Sequence, residues 1–307
     1  MRISTNMLFS NAGSQISNLQ SAVTTTQEQI SAGTSLLTPA SNPAAAAQAM
    51  VVSQQQSANT QYTSNRQMAE TSLNMTSTAL SSMTTLLQSV SSLVVSAGDP
   101  GLTASNRANI ATQVQSDYSS LLALGNATDG NGNYVFGGYQ NATPPFVQTT
   151  GTGGINTVQY TGDQGQIQVQ VGSTQQTPIT TSGEAILQSG GQDIFNTLSN
   201  LTTLLNNPSQ TNAALTAGLS AAGDGISQTL NKVIQASATV GSSLSQLSAL
   251  DTSGANLDLQ FSQNLSNLQS LNYAQTISQL SEQTTTLQAA QQSFVKIENL
   301  SLFNYIN

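Results

Sequence analysis

The run Asp129-x-Asn131-x-Asn133 sets three oxygen-bearing side chains at alternate positions, as a calcium loop does where it begins. Such a loop needs glycine at its sixth position and a bidentate glutamate at its twelfth, and Tyr134 and Gln140 stand there instead. The run therefore reads as a turn leading into a hairpin. Nucleophilic catalysis has as little to work with. Serine is abundant, but no Gly-x-Ser-x-Gly elbow exists, and a Ser–Lys dyad could draw only on Lys232 or Lys296. The carboxylates stand singly, which leaves paired acid–base chemistry without support. Arg66 and Glu70, at i and i+4, are expected to pair along a helix for at most a few tenths of a kcal/mol. All six methionines (Met1, Met7, Met50, Met68, Met75 and Met83) fall in the first third of the chain and are expected to serve as adaptable packing. No catalytic, cofactor-binding or metal-ligating residue is expected, and the chain is not expected to be an enzyme.

Composition points the same way. The 307 residues include no cysteine, histidine or tryptophan, and only 6% are charged. Ordinary globular chains carry about 25%. Without cysteine there is no disulfide framework, thiolate or Cys-ligated metal, and without histidine the commonest general base is missing. Five basic residues in a net charge of −8 cannot neutralise a phosphate track, so no nucleic-acid partner is expected. An anionic membrane is repelled for the same reason. The N-terminus lacks the apolar core of a secretory signal, and Ala44–Val52, read as the most apolar stretch, falls far short of a membrane span. Ser, Thr, Gln and Asn make up nearly half of the chain.

The patterning is helical at both ends. Phe9, Ala12, Ile16, Leu19, Val23, Thr26, Ile30, Gly33 and Leu37 alternate spacings of three and four, an a/d seam weakened at Thr26 and Gly33. A second seam runs from Ala69 through Leu73, Leu80, Met83, Leu87 and Val94 to Ala97, closed by Gly98-Asp99-Pro100, a C′ glycine followed by a helix-incompatible proline. Thr103 or Ser105 could cap a third helix that ends before Gly125, and a short helix is expected over 192–205. Leu219, Ile226, Val233, Val240 and Leu247 recur every seven residues, as do Tyr273, Leu280, Leu287 and Phe294. Ile277, Ala290 and Ile297 flank the last set. Residues 125–191 differ, holding 14 of the 23 glycines. There Ile167–Val171 alternates strictly, and with the Gly162–Gly165 turn it predicts a β-hairpin over 157–171.

The expected fold is mainly α with a β-rich insert: an elongated helical rod and coiled coil built from both chain ends, plus a small outer β domain. Residues 1–42 with 265–307 form the terminal coiled coil. Residues 43–140 with 186–264 form the rod, including a β-hairpin near 129–139, and 141–185 form the outer domain. Residues 1–42 sum to zero charge and 268–307 to −1, whereas 43–267 carry −7. Two nearly neutral amphipathic ends can pair with each other, but pairing alone buries one stripe on each. The sharper expectation is that they order against other subunits through Ile16, Leu19, Val23, Ile30, Tyr273, Ile277, Leu280, Leu287 and Phe294.

The sequence also resembles a known family. The start Met1-Arg2-Ile3-Ser4-Thr5-Asn6-Met7, the segment Ser31-Ala32-Gly33 leading to Pro39-Ala40-Ser41-Asn42-Pro43, and the C-terminal Leu287–Phe294 with Leu300–Ile306 carry the likeness at the ends. Asp129–Tyr139 with Pro145-Phe146, and Tyr160–Gly165, carry it in the middle. Together they are similar to the bacterial flagellin superfamily of axial proteins, on the branch found at the hook–filament junction. The resemblance implies a structural protein that polymerises axially, with flagellin on one side and hook-associated protein 1 on the other. It also implies export through the flagellar type III apparatus after a transient cytoplasmic stage, and a cytosolic export chaperone on the C-terminal segment around 265–307. Two departures stand out: Asn42 replaces an acidic pair, and Thr34 replaces a basic residue. Flagellin itself remains open as an alternative, as do a secreted adhesin that uses Tyr134–Val171 and, more remotely, a peptidoglycan-acting enzyme.

Overall fold

A computed structural model describes residues 2–150 and 156–306. Met1, Asn307 and residues 151–155 of the expected outer domain lie outside the described residues. Among the described residues, seven helices carry most of the chain: α1 (Arg2–Ala32), α2 (Pro43–Ala97), α3 (Ala104–Gly125), α4 (Gly183–Leu187), α5 (Ile194–Asn206), α6 (Asn212–Gln269) and α7 (Tyr273–Ile306). Four short strands lie between α3 and α4: β1 (Phe146–Thr150), β2 (Asn156–Tyr160), β3 (Gln168–Gln170) and β4 (Gln176–Pro178). The chain forms two compact units. One is residues 1–58 with 256–307, and the other is 59–255.

Local chemistry explains the helix boundaries. Asn42 Oδ1 accepts from the Ala45 amide at 3.1 Å, and Pro43 follows at the first helical position, where its missing N–H costs nothing. Thr103 caps α3 by accepting from the Asn106 amide at 3.2 Å. Asp193 caps α5 by accepting from Phe195 and Asn196 at 2.8 and 3.2 Å. The α2 stop falls where expected, after Ala97, although Gly98 is not left-handed: its amide donates to Val95 and that of Asp99 to Ser96, so α2 ends in a tightened last turn. The α3 stop is corrected. Gly125 lies inside α3 rather than after it, with Asn126 as the C-cap.

The central unit holds the hydrophobic core. Leu73, Leu80, Met83, Leu87 and Val90 of α2 are buried with Val114, Tyr118 and Leu121 of α3. Ile226, Val233, Val240 and Leu247 of α6 complete it, so the two central heptad stripes are internal packing. A stretch of α2 is long and apolar enough, by length and composition, to cross a bilayer. The expectation that no stretch approaches a span is corrected to that extent.

The strands pair differently from the sequence reading. β1 pairs antiparallel with β2, Phe146 opposite Tyr160, and β3 pairs with β4, Val169 opposite Thr177. No hairpin joins residues 157–160 to 167–171. The intervening turn is taken by another segment: Asp163 Oδ1 accepts from Tyr139 and Gly165 amides at 2.8 and 2.9 Å, and the Asp163 amide donates to Gly137. The hairpin expected near 129–139 reduces to one bridge between Thr128 and Tyr134. Phe146 anchors the insert. Its ring packs at a tilt against Tyr160 at 5.2 Å and Phe195 at 5.4 Å, between two glycines whose added Cβ atoms would meet it at 2.9 Å (Gly125) and 2.6 Å (Gly183).

Candidate assembly surfaces

The residues that might have done chemistry are engaged elsewhere. Asp129 Oδ1 accepts from the Asn131 and Asn133 amides at 2.8 Å each, and Oδ2 accepts from Asn133 Nδ2 at 3.3 Å. Burial would push this carboxyl up, but these donors outweigh it and hold it below the usual carboxylate range. Lys232 Nζ donates to the Ser189 carbonyl at 2.5 Å, while the Ser189 hydroxyl donates to Ala185, so the two form no dyad. Arg66 does not pair with Glu70. It is buried, bonds Asp251 of α6, and donates to the Val171 carbonyl at 3.0 Å and to Thr63 Oγ1 at 2.9 Å. Asn65 and Ser72 donate to the Gln170 and Ile179 carbonyls, so one face of α2 clasps the β3–β4 segment through its backbone. The methionines are corrected too: Met83 is buried, but Met7, Met50, Met68 and Met75 are exposed. Among the described residues no group of acidic side chains could hold a metal.

Burial also sets the tone around α5. Asp193 is pushed above its ordinary value by burial, against the donors Asn196, Phe195 and Gln188. Tyr118 is pushed up by its own burial and then by the Asp193 charge. Its ring packs edge-on to Phe195 at 5.7 Å, a structural use.

The terminal unit carries the surface that remains. α1 and α7 pack together, with Phe9 and Phe294 edge to face at 5.8 Å. Ile16, Leu19, Val23 and Ile30 of α1 are half-buried, as are Leu280, Leu287 and Phe294 of α7. Tyr273 and Ile277 are 49% and 54% exposed and do not share that burial. The covered line on α7 runs through Thr276, Leu280, Gln283, Leu287, Ala290 and Phe294, with the alternating spacing of a seam. Thr26, a weak position by sequence, is buried, with its hydroxyl 2.9 Å from Gln283 Oε1. The polar members of the seam were what an apolar pattern could not find.

The turn after α1 is fixed by hydrogen bonds. Gly33 takes φ 68°, and an added Cβ would lie 2.8 Å from the Tyr273 hydroxyl, so glycine is required twice. Thr34 Oγ1 and the Ser35 amide both donate to the Gln269 carbonyl at the end of α6, at 2.9 and 2.8 Å. A neutral threonine thus caps a helix C-terminus, a place that favours positive charge. Beyond it, Ala47, Val51, Val52, Asn264, Asn267 and Leu268 line an open groove of about 530 Å³. Val51, Ile277, Val295 and Ile297 are each about half exposed.

Two long helices from opposite chain ends, packed through a seam and leaving apolar side chains outside it, define a class of helical protein whose chain ends pair. Residues 3–141 match the bacterial flagellin N-terminal helical region. The chain is 32% identical over 320 residues to flagellar hook-associated protein 3 of Escherichia coli, and 33% identical over 313 residues to that of Salmonella typhimurium, covering 99% of both partners in each case. It therefore belongs to the flagellar hook-associated protein 3 family. Its fold is similar to FlgL of Xanthomonas campestris (TM-score 0.62, 20% identity, 69% of this chain and 98% of that one). It is also similar to the flagellar junction protein FlgL of Legionella pneumophila (TM-score 0.60, 15% identity, 73% and 100%).

Proposed function

We propose that this protein is a structural component of the bacterial flagellum at the hook–filament junction, where it polymerises axially and links the hook side to the flagellin filament. The full-length relation to hook-associated protein 3 carries this reading. The terminal unit supports it physically, because exposed apolar side chains on nearly uncharged helices are met by neighbours in a helical assembly of heterologous contacts. The assembling part is 1–42 with 265–307, and Ile16, Leu19, Val23, Ile30, Leu280, Leu287 and Phe294 form the seam that subunit contacts complete. Tyr273 and Ile277 offer their exposed faces directly to a neighbour.

The partners in this reading are further copies of the chain, flagellin, hook-associated protein 1, and a cytosolic chaperone on residues 265–307 before type III export. The role involves no catalysis; the absence of histidine and cysteine and the use of Lys232 as a backbone cap favour that. Deleting the gene tests the assignment. Hooks without filaments, and flagellin leaking into the medium, are expected. Intact filaments after deletion, or lost adhesion with normal motility, contradict it.

A further inference from the structure

Asn131 is the only asparagine in the chain followed by glycine. That dipeptide has a chemistry no role above uses, because the glycine amide nitrogen can close a succinimide ring onto the asparagine side-chain carbon. A side chain on the second residue shields that nitrogen. Gly132 has none, sits at φ 85°, and has open space where a Cβ would lie. Both residues are exposed. One bond opposes the attack, from the Gly132 amide to the Asp129 carbonyl at 3.1 Å, toward the long end for N–H···O.

The competing sites are worse. Asp129-Gly130 has an equally open glycine, but its electrophile is an ionised carboxylate engaged by the Asn131 and Asn133 amides. Asp224-Gly225 lies inside α6, where the helix engages the amide. The other asparagines from Asn6 to Asn304 each precede a residue with a side chain.

We propose that Asn131 is a site of spontaneous covalent modification, converting through a succinimide with Gly132 to aspartate and isoaspartate. The Gly132 nitrogen loses its proton to solvent base and bonds to Asn131 Cγ, and the side-chain nitrogen leaves as ammonia. Water then opens the ring at either carbonyl. The net change is amide plus water to carboxylate plus ammonium, and the chain gains one negative charge without any oxidant or cofactor. The new carboxylate stands beside Asp129, and the isoaspartate product adds a methylene to the main chain within the turn. The Asp129 bonds to Asn131, Gly132 and Asn133 cannot all survive that insertion. The loop faces Met68, Thr71 and Ser72 of α2 across a cavity of about 310 Å³, and its opening uncovers Ser72, the buried one of the three.

The test incubates the purified full-length chain in mildly alkaline, oxygen-labelled water and maps peptides by mass spectrometry. Label at residue 131 is expected at about tenfold the level of any other asparagine-containing peptide, with both linkages present. In Asn131→Gln, label in that peptide is lost while circular dichroism stays that of the parent. Label at 131 no greater than at Asn126 or Asn141 overturns the proposal. The parent chain alone decides this if the variant fails to fold.

Discussion

The two compact units solve the problem of burial in opposite ways. Among the described residues, Ala49 is the one buried hydrophobic side chain of the terminal unit, and every other one lies in residues 59–255. The terminal unit's other buried side chains are Thr26 and Thr276. It exposes Met7, Met50, Leu259, Ile277 and Val295 by half or more, with few charges to keep them apart. The central unit is a finished domain by the usual measure, a packed core beneath polar helices. The terminal unit has the helices and the seam but not the core. A chain can afford such an unfinished half only where something else covers it, which is what an axial assembly provides.

The sharpest way to break the contrast is to damage each half in turn. Phe146→Ala, which empties the ring from between Gly125, Gly183 and Phe195, is expected to cost the central unit about 3–5 kcal/mol in denaturant unfolding. A cost below 1 kcal/mol would mean that the insert is not anchored by that core. Arg66→Met is expected to cost about 2 kcal/mol, because it removes donors to Val171 and Thr63 along with the Asp251 pair. Asp251, 36% exposed, regains water when Arg66 is lost, whereas Asp251→Asn leaves the buried Arg66 guanidinium without a counter-charge, so Asp251→Asn should cost at least as much. Leu287→Asp or Ile16→Asp should instead shift that unfolding transition by no more than about 0.5 kcal/mol while abolishing filament attachment. Normal filaments from both variants would sink the assembly role of the seam.

How much of this was legible in the sequence follows from the same division. The central stripes were readable because apolar side chains at heptad spacing are what a core requires, and Leu73–Val94 and Leu219–Leu247 are internal. The terminal seam was readable on α1 and, through Leu280, Leu287 and Phe294, on α7, where Tyr273 lies off the covered line. Tyr273 and Ile277 attract the eye as apolar, whereas Thr276 and Gln283 take the covered line. The β pairings were not readable. Val158 and Val169 suggest one hairpin, but their partners, Phe146–Thr150 and Gln176–Pro178, show no strict apolar alternation. The link from Arg66 to Asp251 spans elements far apart in the chain, beyond any i, i+4 rule.

Smaller effects sharpen the comparison further. Thr26→Val removes the one polar side chain of α1 that reaches Gln283, and is expected to change the stability of the α1–α7 pairing by about 0.5–1 kcal/mol while loosening its register. Cysteines introduced at Phe9 and Phe294 of the otherwise cysteine-free chain should report it, cross-linking less completely in the Thr26→Val background. Undiminished cross-linking would show that the apolar members alone set the register. Asp129 gives the pH effect. Its folded value lies below the unfolded 3.8, so its contribution is present above 3.8 and is lost as pH falls through the lowered value. Asp129→Asn should therefore cost less than about 1 kcal/mol at neutral pH, and the deficit should shrink in acid. A deficit that grows on acidification contradicts the sign.

Hydrogen exchange on the dilute monomer and on assembled flagella tests the central claim most directly. The account predicts that amides of α1 and α7 exchange far faster than those of α3, α5 and the core of α2 in the monomer, and become protected on assembly. Equal protection of both units in the monomer, unchanged by assembly, would contradict it.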